Sequence, residues 1–116
     1  MKLIYIAGPY RAEVPWEVQR NIHAAQDVAA DIARNFACMD VFPVVPHANT
    51  AHFDGLASGE YFLEGTKELL RRCDAIFLLP EWQRSSGSRA ELHLANELGL
   101  PSFQNFYELA KWLGVA

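Results

Sequence analysis

Short apolar runs alternate with stretches of helical periodicity along the chain. The runs KLIYIAG at residues 2–8, VFPVVP at 41–46 and DAIFLLP at 74–80 are rich in strand-forming residues and are bounded by Gly or Pro, so we predict a strand in each. The prolines of the second run favour an outer position in the sheet. Between the first two runs, apolar residues recur at helical spacing over residues 16–34, and Pro15 stands where a first-turn proline is tolerated, which predicts a long helix.

The rest of the chain continues this alternation. Ser58 is placed to cap a second helix, and a third helix contains Glu91. A short strand is predicted near SFQNF at residues 102–106, followed by a closing helix around Trp112. The resulting order is β-α-β-α-β-α-β-α, which predicts a parallel sheet of four to five strands with helices on both faces.

Size and composition favour one compact domain over residues 1–116, with 51% hydrophobic residues to form its core. A net charge of −4 disfavours a nucleic-acid polymer as partner, because such a partner requires a cationic surface. No apolar run approaches the roughly 20 residues that span a bilayer, and the first ten residues are too short for a signal peptide. Cys38 and Cys73 stand in apolar surroundings without CxxC spacing, so we expect reduced, buried thiols and a cytoplasmic location.

The loops after the first three predicted strands carry most of the chemically active side chains. GPYRAEVP, PHANTAHFDG and EWQRSSGSRAE should meet at the carboxyl edge of the sheet, where ligands bind in folds of this class. In the third loop, Ser85, Ser86 and Gly87 precede a helix. They form either an anion pocket, in which backbone amides face the ligand, or a plain turn.

Glu91 has two interpretations. The stretch Ser88-Arg89-Ala90-Glu91 matches a capping box, in which Glu91 bonds back to the Ser88 amide. Alternatively, Glu91 faces the cleft, where the helix dipole would keep its carboxylate ionised at neutral pH. An ionised carboxylate in that place can act as a nucleophile or stabilise a cationic transition state.

The segments IYIAGPYR, CDAIFLLPEW and SSGSRAELHLANELGLP together resemble the nucleoside 2-deoxyribosyltransferase superfamily, above all its small bacterial and phage branch. The likeness extends through the whole domain and is strongest from Cys73 to Pro101. It implies a flavodoxin-like three-layer α/β sandwich and cleavage of an N-glycosidic bond with Glu91 as the nucleophile. It also implies a homo-oligomer, in which a neighbouring subunit often completes the pocket.

The chain is also similar to the 2'-deoxynucleoside 5'-monophosphate N-glycosidases of that superfamily. The matching positions imply that Tyr5 assists Glu91 and that Arg11, Ser85 and Gly87 hold a 5'-phosphate. We therefore expect a nucleoside 5'-monophosphate, or a nucleoside, as the small-molecule substrate. The other residues expected to bind substrate come from the same loops: Gly8, Pro9, Tyr10, His47, Trp82 and Ser86.

One position departs from the family pattern. Thr66 stands where the family usually has an aspartate that assists proton transfer at the base. A threonine hydroxyl cannot act as a general acid at neutral pH, so Glu64, two residues earlier, is the expected substitute. Asp54 and His47 are further candidates for the proton donor.

Other functions compete with this hypothesis. A nucleotide-binding sensor or adaptor without turnover is the main alternative, and Thr66 favours it. A third possibility is an interaction protein with exposed tryptophan anchors: Trp16, Trp82 and Trp112. The spacing of His47, His52 and Asp54 matches no metal-ligand pattern, and the motifs GxxxxGK[ST] and GxGxxG are absent, so we expect no metal and no cofactor.

Overall fold

Four strands and five α-helices build the fold in the computed structural model, which describes residues 1–115. The strands are β1 (Lys2–Ala7), β2 (Val41–Val44), β3 (Ala75–Leu78) and β4 (Ser102–Phe103). The helices are α1 (Pro15–Phe36), α2 (Pro46–Asn49), α3 (Gly59–Arg71), α4 (Ser86–Glu97) and α5 (Phe106–Leu113). Two short 3-10 helices precede β2 and α4, at Ala37–Met39 and Trp82–Arg84.

All strand pairs of the sheet are parallel, and the spatial order is β2-β1-β3-β4. The central strand β1 pairs on both sides, with Tyr5 opposite Val44 of β2 and Ile76 of β3. The predicted α/β class is confirmed, and so is the outer position of the proline-containing strand β2. The chain turns from β2 back to β3 across β1, which creates the topological switch point where such sheets bind ligands.

The alternation of side chains along β1 divides the core into two clusters. Ile4 and Ile6 pack on one face with residues of α1 and α5, and Tyr5 and Ala7 pack on the other face with residues of α3 and α4. This follows from the two-residue period of a strand, which sends neighbouring side chains to opposite faces. Tyr5 therefore lies on the same face of the sheet as α4.

A close backbone approach shapes the end of β1. A Cβ atom added to Gly8 would lie 2.5 Å from Cδ1 of Leu79, the residue that follows β3. Leu79 also donates its backbone N–H to the carbonyl of Ala7 at 2.8 Å. Glycine is thus required at position 8 for the loops after β1 and β3 to start side by side.

Three predictions about local structure need correction. Residues 46–49 were expected in a polar loop but form α2, with Pro46 at its first position, where proline needs no N–H partner. Cys38 is exposed, because it lies in the 3-10 helix outside the core, whereas Cys73 is buried as expected. Ser88 does not cap α4. With Ser88 as the cap the helix would begin at Arg89, but it begins at Ser86, three residues earlier.

Residues 1–115 include no helix that is both long and apolar enough to cross a membrane.

Candidate active site

A cavity of about 810 Å³ opens at the carboxyl edge of the sheet. Its wall consists of the loop after β1, α2 and the loop that follows it, the first two turns of α3, and the start of α4. The volume lies within the range of roughly 300 to 1,000 Å³ that small-molecule sites occupy. The three loops expected to meet at this edge do meet there.

Glu91 lies in the wall of this cavity and is held by Tyr5. The Tyr5 hydroxyl donates a hydrogen bond to Oε2 of Glu91. Tyr5 is 0% exposed and does not line the cavity, whereas Glu91 is 8% exposed and does. The tyrosine therefore supports the carboxylate from the core side and leaves the cavity side of Glu91 to a ligand.

The start of α4 explains why Glu91 is available for this contact. The helix begins at Ser86, and the Ser85 side chain caps it by accepting a hydrogen bond from the Ser88 amide at 3.1 Å. Glu91 is then the sixth helical residue, too far along to reach a free amide of the first turn. The capping-box interpretation of Glu91 is wrong, and its carboxylate bonds Tyr5 instead.

Burial governs the ionisation of this pair. Desolvation raises the pKa of Glu91 above its ordinary value, and the Tyr5 and Thr66 side chains and the Lys67 charge partly offset that rise. The upward direction is opposite to the one expected from a helix N-terminus, because the dipole acts mainly on the first turn and Glu91 lies beyond it. Desolvation and the Glu91 charge likewise raise the pKa of Tyr5, so its hydroxyl remains protonated and donates.

Thr66 contributes a neutral hydroxyl beside the pair. It lies on α3, lines the cavity and donates to the carbonyl of Leu63 at 3.0 Å. Its side-chain hydrogen bond also lowers the pKa of Glu91. A hydroxyl has one proton, so Thr66 donates either to Leu63 or to Glu91, and the second choice favours the ionised carboxylate.

The start of α4 forms another part of the cavity wall. Ser85, Ser86, Gly87 and Ser88 all line it. Ser88 is 1% exposed, and its buried Oγ has no hydrogen-bond partner within residues 1–115. Free amides at a helix start together with an unpartnered hydroxyl are suited to bind an anionic group.

Arg11 brings a positive charge to the same cavity. Residues 1–115 contain ten Lys and Arg side chains, and nine of them have an ion pair, a hydrogen bond or an aromatic ring as partner. Arg11 is the tenth and has no such partner in this part of the chain. Its guanidinium is therefore available to an anion, to which it can donate two parallel hydrogen bonds.

His47 is a structural neighbour of the site. It is 7% exposed, lines the cavity, and places Nε2 at 3.0 Å from the carbonyl of Gly8 and 3.2 Å from that of Pro9. Because carbonyls only accept, Nε2 carries the proton, and burial lowers the pKa of the ring. A neutral imidazole whose N–H is engaged is unsuited to protonate a leaving base, so His47 fixes the loop after β1 instead.

Tyr10 forms the next part of the cavity wall. Its ring lies 6.1 Å from that of His47, and its hydroxyl donates to Asp54 at 3.1 Å. Asp54 lines the cavity as well. A carboxylate and a phenol are therefore present in the wall formed by the first two loops.

Four residues expected to bind substrate or assist catalysis do not line the cavity: Tyr5, which lies behind Glu91, and Pro9, Glu64 and Trp82. Glu64 is exposed beside Lys67, since residues two apart on a helix point in nearly opposite directions and Thr66 faces inward. Trp82 packs against the core cluster that contains Tyr5. Pro9 contributes only its carbonyl, to His47.

Sequence reasoning missed several residues of the wall. On α3, Gly59, Phe62 and Leu63 were missed, and they line the cavity together with Thr66, which the sequence analysis had considered. Their spacing of three or four residues is that of one helical face, which was the available signal. The structure has no cluster of three or more His, Cys, Asp or Glu residues in the range 1–115 that would hold a metal ion.

The sheet order and the flanking helices define a nucleoside 2-deoxyribosyltransferase-like fold. The structure is similar to 2-deoxyribosyltransferase from the psychrotolerant bacterium Bacillus psychrosaccharolyticus, with a TM-score of 0.57, 20% identity, and coverage of 86% of this chain and 69% of that one. It is also similar to 2-deoxyribosyltransferase from Leishmania mexicana, with a TM-score of 0.57, 28% identity, and coverage of 88% and 62%. The chain thus spans about two thirds of the length of these enzymes.

The sequence belongs to the family described as domain of unknown function (DUF4406), which matches residues 2–103. That match includes β1, Arg11, the α3 face and all of α4. No curated protein matches the chain.

Proposed function

We propose that this protein cleaves the N-glycosidic bond of a deoxynucleoside 5'-monophosphate, with Glu91 as the nucleophile. The observation that carries the proposal is the buried carboxylate in the cavity wall, held from behind by Tyr5. The likeness to two 2-deoxyribosyltransferases supports glycosidic chemistry in general. The cytoplasmic location and the homo-oligomeric state belong to the same proposal, and the mass in solution tests the latter.

In the proposed reaction, the Glu91 oxygen not bonded to Tyr5 attacks the anomeric carbon of the sugar. The bond between that carbon and the base breaks, and the base leaves with the electron pair and takes up a proton. The resulting ester between sugar and Glu91 is then opened by water, which gives hydrolysis, or by a second base, which gives transfer. Tyr5 holds Glu91 in one orientation during both steps.

The phosphate of the substrate is proposed to lie between Arg11 and the start of α4. Arg11 is free to bind it, and the buried Ser88 hydroxyl, which has no hydrogen-bond partner within residues 1–115, lies at the start of α4 in the same cavity wall. The departing base is proposed to take its proton from water, since none of the three candidates suits the role: Asp54 is a carboxylate that accepts a hydrogen bond from Tyr10. Glu64 faces away, and His47 has its N–H engaged.

Release of free base tests the proposal. The purified protein is incubated with each of the four deoxynucleoside 5'-monophosphates and with the corresponding deoxynucleosides, and free base is separated by chromatography. We expect release from at least one monophosphate at a higher kcat/KM than from its nucleoside, and a smaller difference in Arg11→Ala. No release from any of the eight compounds would contradict the proposal.

A non-catalytic nucleotide sensor is the second candidate, and one observation favours it. The α3 side chain next to Glu91 is the neutral hydroxyl of Thr66, which supplies no general acid. Saturable binding of a monophosphate, measured by calorimetry, without release of base would establish the sensor.

A further inference from the structure

The guanidinium of Arg11 lies against the first residue of α3, Gly59. A Cβ atom at position 59 would be 2.5 Å from Nη2 of Arg11 and 3.3 Å from both Cζ and Nη1. Real Cβ atoms do not come as close as 2.5 Å to another heavy atom, so any side chain at position 59 displaces the guanidinium. Arg11 holds its present position because residue 59 has no side chain.

The backbone gives no other reason for glycine at this position. Gly59 is the first helical residue of α3, directly after the cap Ser58, and its φ lies outside the left-handed region. Alanine adopts that conformation readily and has a higher helix propensity than glycine. The space for Arg11 is therefore the structural feature that depends on glycine.

Displacement of Arg11 would change the charge of the whole cavity. Three carboxylates, those of Asp54, Glu60 and Glu91, line the same cavity and repel an anion. The second arginine in the wall, Arg84, is paired with Glu81 at 2.9 Å. Arg11 is thus the cation of this wall, within residues 1–115, that is free to offset the negative charge of the three carboxylates.

We propose that Gly59 is a positioning residue for phosphate recognition, which acts by leaving room for the Arg11 guanidinium across the start of α3. This inference rests on the proposed function, since it deepens the assignment of a phosphorylated substrate to the cavity. The ligand chemistry is a phosphate monoester attached to a sugar. A glycine at this place, rather than the arginine alone, sets the preference for phosphorylated over free nucleosides.

The test compares two alanine substitutions in one helix. Gly59→Ala introduces the Cβ that meets Arg11, and Gly65→Ala introduces a Cβ with nothing within 4 Å. Both replace an exposed glycine of α3, so any general effect on the helix appears in both variants. Affinities for the four deoxynucleoside 5'-monophosphates and the four free deoxynucleosides are measured by calorimetry, and thermal unfolding is followed in parallel.

We expect Gly59→Ala to weaken monophosphate binding about tenfold, as for the loss of one charge-assisted hydrogen bond, and to leave nucleoside binding within about twofold of wild type. Its melting temperature should equal or exceed that of wild type, because only the end of a flexible side chain has to move. Gly65→Ala should leave both affinities unchanged. In an Arg11→Ala background, Gly59→Ala should have no further effect.

Several results would overturn the inference. One is equal monophosphate affinity in Gly59→Ala and Gly65→Ala, and another is a loss in Gly59→Ala that is the same for free nucleosides. A third is an effect of Gly59→Ala that adds fully to that of Arg11→Ala, and a fourth is a wild-type protein that binds no monophosphate. If the wild type binds monophosphates without releasing base and Gly59→Ala alone loses affinity, the enzymatic proposal fails and the role of Gly59 stands.

Discussion

Replacing Tyr5 by phenylalanine removes the hydroxyl that supports Glu91 and little else. Tyr5 is fully buried in the cluster between the sheet and the helices α3 and α4, and phenylalanine fills the same space apart from the oxygen. The substitution therefore leaves packing intact and leaves Oε2 of Glu91 without its donor. The measured change reports on one buried hydrogen bond to a charged group.

The expected loss of stability is about 2 kcal/mol, the typical contribution of a hydrogen bond to a charged group. For a chain of 116 residues this corresponds to a fall in melting temperature of about 8 °C. The Tyr5 bond lowers the pKa of Glu91, so the variant raises that pKa further. The loss is consequently largest at a pH where Glu91 is ionised, and it shrinks as the pH falls and the carboxylate takes up a proton.

Urea unfolding of wild type, Tyr5→Phe, Glu91→Gln and the double variant measures this coupling. In the Glu91→Gln background the hydroxyl donates to a neutral amide oxygen, and its removal should destabilise by only about 1 kcal/mol. A stability loss below about 0.5 kcal/mol for Tyr5→Phe at pH 8 would show that the hydroxyl does not support an ionised Glu91. An effect that is the same in both backgrounds and at acidic and alkaline pH would show the same.

Two further predictions concern stability. A group whose pKa is raised on folding contributes stability at low pH that is lost as the pH rises through the folded pKa, so wild type should lose stability from about pH 4.5 upward relative to Glu91→Gln. At neutral pH the Glu91→Gln variant should be more stable than wild type by about 1 kcal/mol. Urea titrations at several pH values measure this difference, and stability curves that run parallel over pH would contradict the prediction. Gly8→Ala should destabilise the protein by about 2 kcal/mol, because the added Cβ meets the Leu79 side chain. Gly65→Ala serves as the control and should be neutral or stabilising in the same thermal scan. Equal melting temperatures for the two variants would show that the Leu79 side chain moves away without a loss of stability.

The sheet could be predicted from the sequence because its strands carry strong local signals. Each of the first three runs consists mainly of apolar, β-branched or aromatic residues and ends at Gly or Pro, so the composition and the boundary both predict a strand. The order of elements then limits the topology to a parallel sheet with helices on both faces. The edges of that sheet, and hence the three loops of the site, follow from topology alone.

The start of α4 could not be predicted because its sequence offers several caps. Ser85, Ser86 and Ser88 are each good N-cap residues, and Gly87 is tolerated there. Choosing Ser88 in place of Ser85 shifts the helix start by three residues and moves Glu91 from the second turn to the first. With the observed start, Glu91 lies beyond the free amides of the first turn, and its carboxylate accepts a hydrogen bond from Tyr5 instead.

The side of α3 that faces the cavity also depends on tertiary structure. The amphipathic pattern of α3 predicts which side of the helix is apolar, but it does not predict which end of that side lies at the edge of the sheet. Glu64 was expected in the site because it lies two residues before Thr66, but two residues correspond to about half a turn, and Thr66 occupies the inner position. Contacts between neighbouring backbones and side chains, such as Gly59 with Arg11, leave no trace in a hydrophobic pattern.

The central claim is that the carboxylate of Glu91 performs the chemistry, and the most direct test is the rate of base release by wild type and by Glu91→Gln. The substitution keeps the size of the side chain and an acceptor for Tyr5, but the amide cannot form the glycosyl ester. Both proteins are purified identically and assayed at saturating deoxynucleoside 5'-monophosphate. We expect Glu91→Gln to lose at least about 1,000-fold in kcat with monophosphate binding retained, and a kcat within about tenfold of wild type would rule out Glu91 as the nucleophile.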